Sequence, residues 1–333
     1  MSLKEVLLSF LQIIPDLITL TVQIIGCLLF SFISPLLHLI NLFKVKQFPS
    51  PKTIVITGAS SGIGRSLAIQ YADKGKVIAI TGRNRDRLNE VAKKIADKGA
   101  IVEIGEFDVS NRSEMSRWLL SLDKRSPVDL VIANAGTSEF VLGDEAGTFE
   151  DRSYQIVETN VLGVLNTINP LLPIMRQRKH GQIVIVGSMS TYFCHVLAHY
   201  VASKCWVHGL ATTLRKELVH YGVGVTLLTP GFVQTGMTTS LPSSIKTPMI
   251  ITADQSAAIF KQGISENRAQ VIDNFGTSLI GTIVQRVPLN LKDAYHVIAE
   301  YIYPSGEYDI FAKSDPSSSS VPPTTTSAKK NQI

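Results

Sequence analysis

Six short apolar runs recur through the middle of the chain, at residues 53–56, 77–80, 101–104, 130–133, 183–186 and 225–228. Each is rich in β-branched residues and almost continuously hydrophobic, the pattern of a strand buried on both faces rather than one with a wet face. Helix-length segments separate them. The pattern therefore predicts a doubly wound α/β domain with a parallel sheet, whose ligands bind outside the carboxyl ends of the strands. No internal repeat is visible.

A different pattern precedes it. Residues 17–43 hold no Asp, Glu, Lys or Arg across 27 positions. A helix of that length rises about 40 Å, against a hydrocarbon core of about 30 Å. We expect a membrane anchor over residues 1–47. It would either span the bilayer with tilt or lie in one leaflet as a hairpin between Pro15 and Pro35. A cleaved signal peptide fits less well, because the run is too long, Lys4 sits beside Glu5, and no small-x-small cleavage site follows. Lys44, Lys46 and Lys52 follow the run while only Lys4 precedes it, which places the large domain in the cytosol. The single glycosylation triplet, Asn111-Arg112-Ser113, would favour the lumen only if it were used. After residue 312 the chain turns to Ser, Thr and Pro, so residues 313–333 are expected to be a disordered tail. The globular domain is then residues 48–312, with a substrate lid expected over about 236–288.

Composition narrows the classes further. Of 333 residues 45% are hydrophobic and 18% charged, which suits a large core and excludes a disordered chain. The net charge of +5 is spread over the domain, so nucleic-acid binding is not indicated. Cys27, Cys194 and Cys205 form no C-x-x-C pair and no disulfide framework. His195, His199 and His208 cluster in sequence without supporting acids, so no metal is expected.

The chemistry begins after the first run, at Thr57-Gly58-Ala59-Ser60-Ser61-Gly62-Ile63-Gly64-Arg65. Three glycines here allow a tight turn, a close backbone approach to a pyrophosphate, and close packing of the next helix. That helix offers free N–H groups and its positive dipole end to the anion. The second run ends Thr81-Gly82-Arg83. An acid near this point would bind the ribose 2′-hydroxyl of NAD, whereas Arg83 suits the 2′-phosphate of NADP(H). Farther on, Tyr200-Val201-Ala202-Ser203-Lys204 opens a helical pattern reaching about Tyr221. Positions i and i+4 share a helix face, so the phenol and the ammonium can point into one cleft. A neighbouring cation would lower the phenol pKa towards the range of a general acid. Ser188 lies just past the fifth run and can hydrogen-bond a carbonyl oxygen; Ser190 lies farther on.

These residues, with Asp108-Val109, Asn134-Ala135-Gly136, Asn160 and Pro230-Gly231-Phe232-Val233-Gln234-Thr235, resemble the short-chain dehydrogenase/reductase family over about residues 52–240. The resemblance implies a Rossmann fold and hydride transfer between a nicotinamide and a carbonyl or alcohol. It implies that Ser188 orients the reacting oxygen, Tyr200 exchanges the proton, and Lys204 binds the nicotinamide ribose and lowers the tyrosine pKa. Asn160 would hold a water connecting Lys204 to solvent. Asp108 and Val109 would contact the adenine side, Asn134 the cofactor and Thr235 the carboxamide. Ser60, Ser61, Ile63, Pro230, Gly231 and Val233 would complete the cofactor-binding set. The Ser-to-Tyr spacing is one residue shorter than usual in the family, so the intervening loop is expected to be reshaped. Ser61 stands where NADP-preferring members often carry Lys or Arg, so Arg83 carries that preference alone.

With its apolar N-terminal segment, the chain resembles the membrane-anchored members, such as dehydrogenase/reductase family member 7 and the 11β-hydroxysteroid and 3-ketosphinganine reductases. That implies an endoplasmic reticulum membrane, a lipophilic substrate of steroid, retinoid or sphingoid type, and a homodimer. Leu241, Met249-Ile250-Ile251 and Ile259-Phe260 would either form the lid or simply pack in the core, and Thr252-x-x-Gln255 matches a capping box. The alternative is a silent cofactor- or lipid-binding member. Such members usually lack the tyrosine or the lysine, and both are present here. A sugar epimerase would carry a different glycine spacing.

Overall fold

The computed structural model describes residues 14–15, 17–26, 28–29, 33, 48–143, 146–193, 197–241, 247, 249–274, 276 and 281. Seven parallel strands form the central sheet: β1 (Thr53–Thr57), β2 (Val77–Gly82), β3 (Ile101–Glu106), β4 (Leu130–Ala133), β5 (Gln182–Val186), β6 (Gly224–Thr229) and β9 (Gln270–Ile272). Two short strands, β7 (Val233–Gln234) and β8 (Ile251–Thr252), pair beside it. The sheet order is β3-β2-β1-β4-β5-β6-β9. Strand order reverses between β1 and β4, which pair in register from Ile54 opposite Leu130 to Ile56 opposite Ile132. A crevice therefore opens at their carboxyl ends.

Every residue of β1, β4, β5 and β6 is buried, as continuous apolar runs demand, whereas the edge strand β3 exposes Ile101 and Glu106. Alternate residues feed two cores. Ile54, Ile56, Ile78 and Ile80 pack to one side with Leu67, Leu88 and Phe260. Val55, Val131, Ile183 and Ile185 pack to the other with Leu119, Met175 and Val207.

The helices that matter to the crevice are α1 (Gly62–Tyr71), α2 (Arg85–Ala96), α3 (Arg112–Arg125), α4 (Phe149–Val157), α5 (Gly163–Ile168), α6 (Leu172–Arg178), α7 (Ala198–Leu218) and α8 (Ala253–Ser265). A π-helical turn, Glu158–Leu162, joins α4 to α5. Asn84 caps α2 by accepting from the Arg87 N–H, and Asn111 caps α3 by accepting from the Glu114 N–H. The amide of the glycosylation triplet is thus engaged in holding a helix end. The capping box expected at Thr252 and Gln255 begins α8, with both reciprocal bonds formed.

The expected lid needs correcting. Within residues 236–288, Ala257, Phe260 and Ile264 of α8 and Val271 of β9 belong to the first core cluster. β9 is the seventh strand, too short at three residues to register as an apolar run. Gly263 on α8 lies close over the sheet, where a Cβ would collide with Val271. The other residues expected in the lid, Leu241 and Met249-Ile250-Ile251, lie in the stretch before α8, of which residues 242–246 and 248 lie outside the described residues.

Most of the expected anchor (1–47) and all of the tail (313–333) also lie outside them. Among the described residues no helix is long and apolar enough to cross a membrane. Those described between Ile14 and Ile33 are helical, and the side chains of Ile18, Val22, Ile25, Leu28 and Leu29 are each more than half exposed.

Candidate active site

The glycine loop is built by absent side chains. Gly58 has φ +64°, and a Cβ there would stand 2.8 Å from the Ala135 Cα. A Cβ on Gly64 would collide with Asn134 Nδ2 and stand 2.6 Å from the Gly58 carbonyl oxygen. Asn134 Nδ2 donates to the carbonyls of Thr57 (2.9 Å) and Gly58 (3.3 Å). The Thr57 hydroxyl accepts from the N–H groups of Asn134 (3.0 Å) and Ala135 (3.1 Å). Thr57 and Asn134, expected at the cofactor, thus direct these polar atoms to the loop itself and lock the two switch-point strands together. Ser61 stands at the N-cap of α1 in extended backbone but makes no side-chain bond to the first turn. The N–H groups of Gly62, Ile63 and Gly64 receive no cap from it, which is the arrangement an anionic pyrophosphate requires. Across the crevice, the Thr235 methyl would lie 3.0 Å from a Cβ on Gly62.

The residues expected on the adenosine side, Arg83, Asp108 and Val109, follow the carboxyl ends of β2 and β3. Arg83, with 70% of its side chain exposed, comes within 3.6 Å of Asp108 Oδ2. Asp108 Oδ1 accepts from the Ser110 N–H, and Asn166 Nδ2 donates to the buried Val109 carbonyl. Ser60 lies against Gly82, where a Cβ would approach its hydroxyl to 3.3 Å. After β6 comes the segment Pro230 to Thr235. Its Gly231 N–H is held at 2.8 Å by Asp273 Oδ1, while Ser256 Oγ donates to Asp273 Oδ2 at 2.5 Å. Burial pushes the Asp273 carboxyl above the usual range despite these bonds.

At the carboxyl end of β5 the structure brings Ser188, Tyr200, Lys204 and Asn160 together. The Ser188 hydroxyl hydrogen-bonds the Tyr200 phenol and accepts from the Ser190 N–H. Lys204 Nζ donates to the Val186 carbonyl at 3.0 Å and sits 5.7 Å from the Tyr200 ring centroid. Asn160 lies in the π-turn, fully buried, and is engaged on three sides. Its Oδ1 accepts from the Thr137 N–H (2.8 Å); its Nδ2 donates to the Thr137 carbonyl (2.9 Å) and to Ser203 Oγ (2.9 Å). Ser203 Oγ donates in turn to the Tyr200 carbonyl at 2.6 Å. A Cβ on Gly136 would lie 3.3 Å from Lys204 Nζ and 3.4 Å from Asn160 Oδ1, so both polar groups border the same space.

The electrostatics differ from expectation. Lys204 does not draw the phenol pKa down. Burial pushes Tyr200 upward, the Ser188 bond pulls the other way, and the Glu139 carboxylate raises it further. Burial also pushes Lys204 down to about 8, which weakens the ammonium as a counter-charge.

Sequence reasoning missed Glu139, Ser203 and Asp273. Ser203 lies inside the Tyr-x-x-x-Lys motif, one helical turn after Tyr200, and that spacing could have drawn attention to it. Glu139 and Asp273 carried no local signal, since their partners are distant in sequence. Of the histidines, His199 packs on Phe149 with ring centroids 4.7 Å apart, and His195 lies outside the described residues.

A doubly wound sheet with a glycine loop at its switch point, and a tyrosine and lysine one helical turn apart beyond β5, defines an NAD(P)-dependent oxidoreductase of Rossmann type. The short chain dehydrogenase family model matches residues 52–246, and the chain belongs to that family. It is 32% identical over 248 residues to an uncharacterized oxidoreductase of Myxococcus xanthus, covering 74% of this chain and 96% of that one. An NADPH-dependent pterin aldehyde reductase of Arabidopsis thaliana is 30% identical over 193 residues, covering 57% of this chain and 78% of the relative. Among solved structures, a short-chain dehydrogenase from Sphingobium yanoikuyae in complex with NADPH superposes with a TM-score of 0.61 at 22% identity, covering 76% and 95% of the two chains.

Proposed function

We propose that the protein is an NADP(H)-dependent carbonyl reductase acting on a lipophilic substrate, with Tyr200 as its proton donor. The observation that carries the reading is the meeting of the Ser188 hydroxyl, the Tyr200 phenol and the Lys204 ammonium at the end of β5. The residues fit the cofactor. The uncapped first turn of α1 suits a pyrophosphate, and Gly58 and Gly64 keep its approach free of side chains. Arg83 suits a 2′-phosphate, and the pterin aldehyde reductase and the Sphingobium structure are both described with NADPH.

When bound, the nicotinamide supplies the hydride. The chain's own work is on the oxygen. Ser188 donates a hydrogen bond to the substrate carbonyl, and Tyr200 gives its phenolic proton as charge builds there, so hydride and proton together make the alcohol. Burial holds the phenol above its ordinary pKa, so Tyr200 is protonated at neutral pH and has a proton to give. Lys204 would bind the nicotinamide ribose. Asn160 fixes the loop over which Lys204 reaches and, through a water, would return the proton from solvent. Asp108 and Val109 would face the adenine, with Thr235 on the carboxamide.

The lipophilic substrate and the membrane belong together. Helical residues between Leu17 and Ile33 expose large aliphatic side chains, inside a run of 27 residues without a full charge. A lipid bilayer of the endoplasmic reticulum type is the occupant that run fits, and it would concentrate a lipophilic ketone or aldehyde at the enzyme.

The test is NADPH oxidation by detergent-purified protein against steroid, retinoid, sphingoid and aromatic carbonyls. One of these should turn over, and Tyr200→Phe should lower kcat about a thousandfold while still binding NADPH. NADPH binding without turnover of any of them, in either direction, would overturn the assignment in favour of a silent binding protein.

A further inference from the structure

α7 carries Tyr200, Ser203 and Lys204 in its first two turns, yet it starts without a cap of its own. Leu197, at the N-cap, has φ 62° and ψ 61° and no side chain able to accept a hydrogen bond. The first N–H groups of the helix need an acceptor from elsewhere. Glu139 provides it from the single turn Glu139–Leu142 that follows β4. Its Oε1 accepts from the His199 N–H at 3.0 Å and the Tyr200 N–H at 3.2 Å. The residue is only 4% exposed, and its Oε2 is sealed from solvent with no hydrogen-bond partner among the described residues. A sealed oxygen is not a substrate contact. The position nevertheless carries a glutamate where an amide would make the same two bonds with less desolvation.

Two features explain it. An anion at a helix N-terminus meets the positive end of the helix dipole, and its hydrogen bonds are charge-assisted. The Tyr200 peptide is also held at both ends: Glu139 takes its N–H, and Ser203, bonded to Asn160, donates to its carbonyl. Both ties run back to one short loop, since Asn160 holds Thr137, two residues before Glu139.

We propose that Glu139 is a positioning residue, a buried carboxylate that caps the catalytic helix from the loop after β4 and fixes the Tyr200 phenol against Ser188. The inference rests on the reading of Tyr200 as proton donor and adds what sets its place and its charge. Glu139 acts on the phenol and Lys204 Nζ lies 5.7 Å from its ring; His199 and His208 share α7, Tyr192 packs on His208, and α4 and the π-turn, both packed on α7, carry Arg152 and Glu158. Burial raises the phenol pKa most, and the Glu139 carboxylate adds to it in the same direction.

Two substitutions separate position from charge. Glu139→Gln keeps an acceptor oxygen and removes the charge; Glu139→Leu removes both. The first readout needs no substrate: the ultraviolet titration of the phenol, taken as the difference between each protein and its Tyr200→Phe counterpart. Its midpoint should fall by roughly one unit in Glu139→Gln. With a carbonyl substrate, the alkaline limb of kcat should move down by the same amount in Glu139→Gln. Glu139→Leu should lower kcat about a hundredfold with little change in KM, the scale of a misplaced catalytic group. An unmoved phenol titration in Glu139→Gln, or equal kinetics for the two variants at every pH, would overturn the proposal. If no carbonyl turns over, the titration still decides it, so a failed assignment of activity and a failed role for Glu139 give different results.

Discussion

The two ends of the crevice are shaped by opposite means. Around the glycine loop, space is created by missing atoms: Gly58, Gly62 and Gly64 each stand where a methyl group would meet Ala135, Thr235 or Asn134. Around Tyr200, space is enclosed by buried polar atoms that grip one another, Glu139 and Asn160 above all. Adding an atom should break the first region, and removing one should break the second. Each end also holds a different cost. The loop end carries little buried charge, whereas the catalytic end buries a carboxylate and an ammonium in a protein that must still fold.

That cost gives the largest expected effect. Burial lowers Lys204 from 10.5 to about 8 in the folded protein. A group depressed in this way binds fewer protons folded than unfolded between those values, so its contribution makes stability rise with pH across that window. At neutral pH the folded state bears the desolvation, about 3 kcal/mol at roughly 1.4 kcal/mol per unit. Lys204→Met should therefore raise the melting temperature of the cofactor-free protein at pH 7 while abolishing turnover. The pH dependence sharpens the point. Between pH 8 and 10 the wild type should gain stability relative to Lys204→Met, and the two should converge as the pH rises. Above pH 10 the buried phenols of Tyr71 and Tyr200, both raised by burial, act in the opposite sense. Calorimetry of both proteins across that range checks it; parallel curves would show that Lys204 is solvated.

At the loop end the matching change adds an atom. Gly64→Ala drives a methyl group against Asn134 Nδ2 and the Gly58 carbonyl, backbone and a hydrogen-bonded amide that cannot easily give way. Overpacking of this kind costs about 2 kcal/mol. NADPH affinity should fall with it, because the displaced carbonyl belongs to the loop itself. Gly209 is the control. It lies within α7, and a methyl group added there would meet nothing within 4 Å, so Gly209→Ala should stabilise by up to about 1 kcal/mol. Paired thermal melts and fluorescence titrations with NADPH separate the two outcomes. Equal effects at both positions would end the distinction between the two regions.

The same contrast decided what could be read from the sequence. Six of the seven main strands, the glycine loop and the Tyr-x-x-x-Lys pair were legible, because each is a local pattern of spacing. β9 was not, being three residues long, and with it went the core role of Phe260 on α8, an apolar residue equally at home in a lid. The direction of the Tyr200 shift was misread for a physical reason. A lysine four residues away suggests a cation, but the sequence does not report how deeply both groups are buried, and burial governs both shifts. Glu139 and Asp273 were illegible because what they do is satisfy backbone N–H groups far off in the chain, at Tyr200 and Gly231. Long-range polar support leaves no periodicity behind.

The smallest effect tests the part of the crevice that neither burial nor packing controls. Arg83 is 70% exposed, and its one described ion pair, with Asp108 at 3.6 Å, is long and screened. Removing it should leave the melting temperature almost unchanged. It should matter only to a ligand carrying a phosphate at that position. Arg83→Ala is expected to weaken NADPH binding about tenfold, near 1.4 kcal/mol, and to leave NADH binding as it was. Higher salt should narrow the gap between variant and wild type, since an exposed charge is screened within about 10 Å at 0.1 M. Titrating each protein with both cofactors at two salt concentrations tests this directly. An equal loss for NADH would place Arg83 on the pyrophosphate or adenine instead, and no loss for either would remove the residue from the cofactor site.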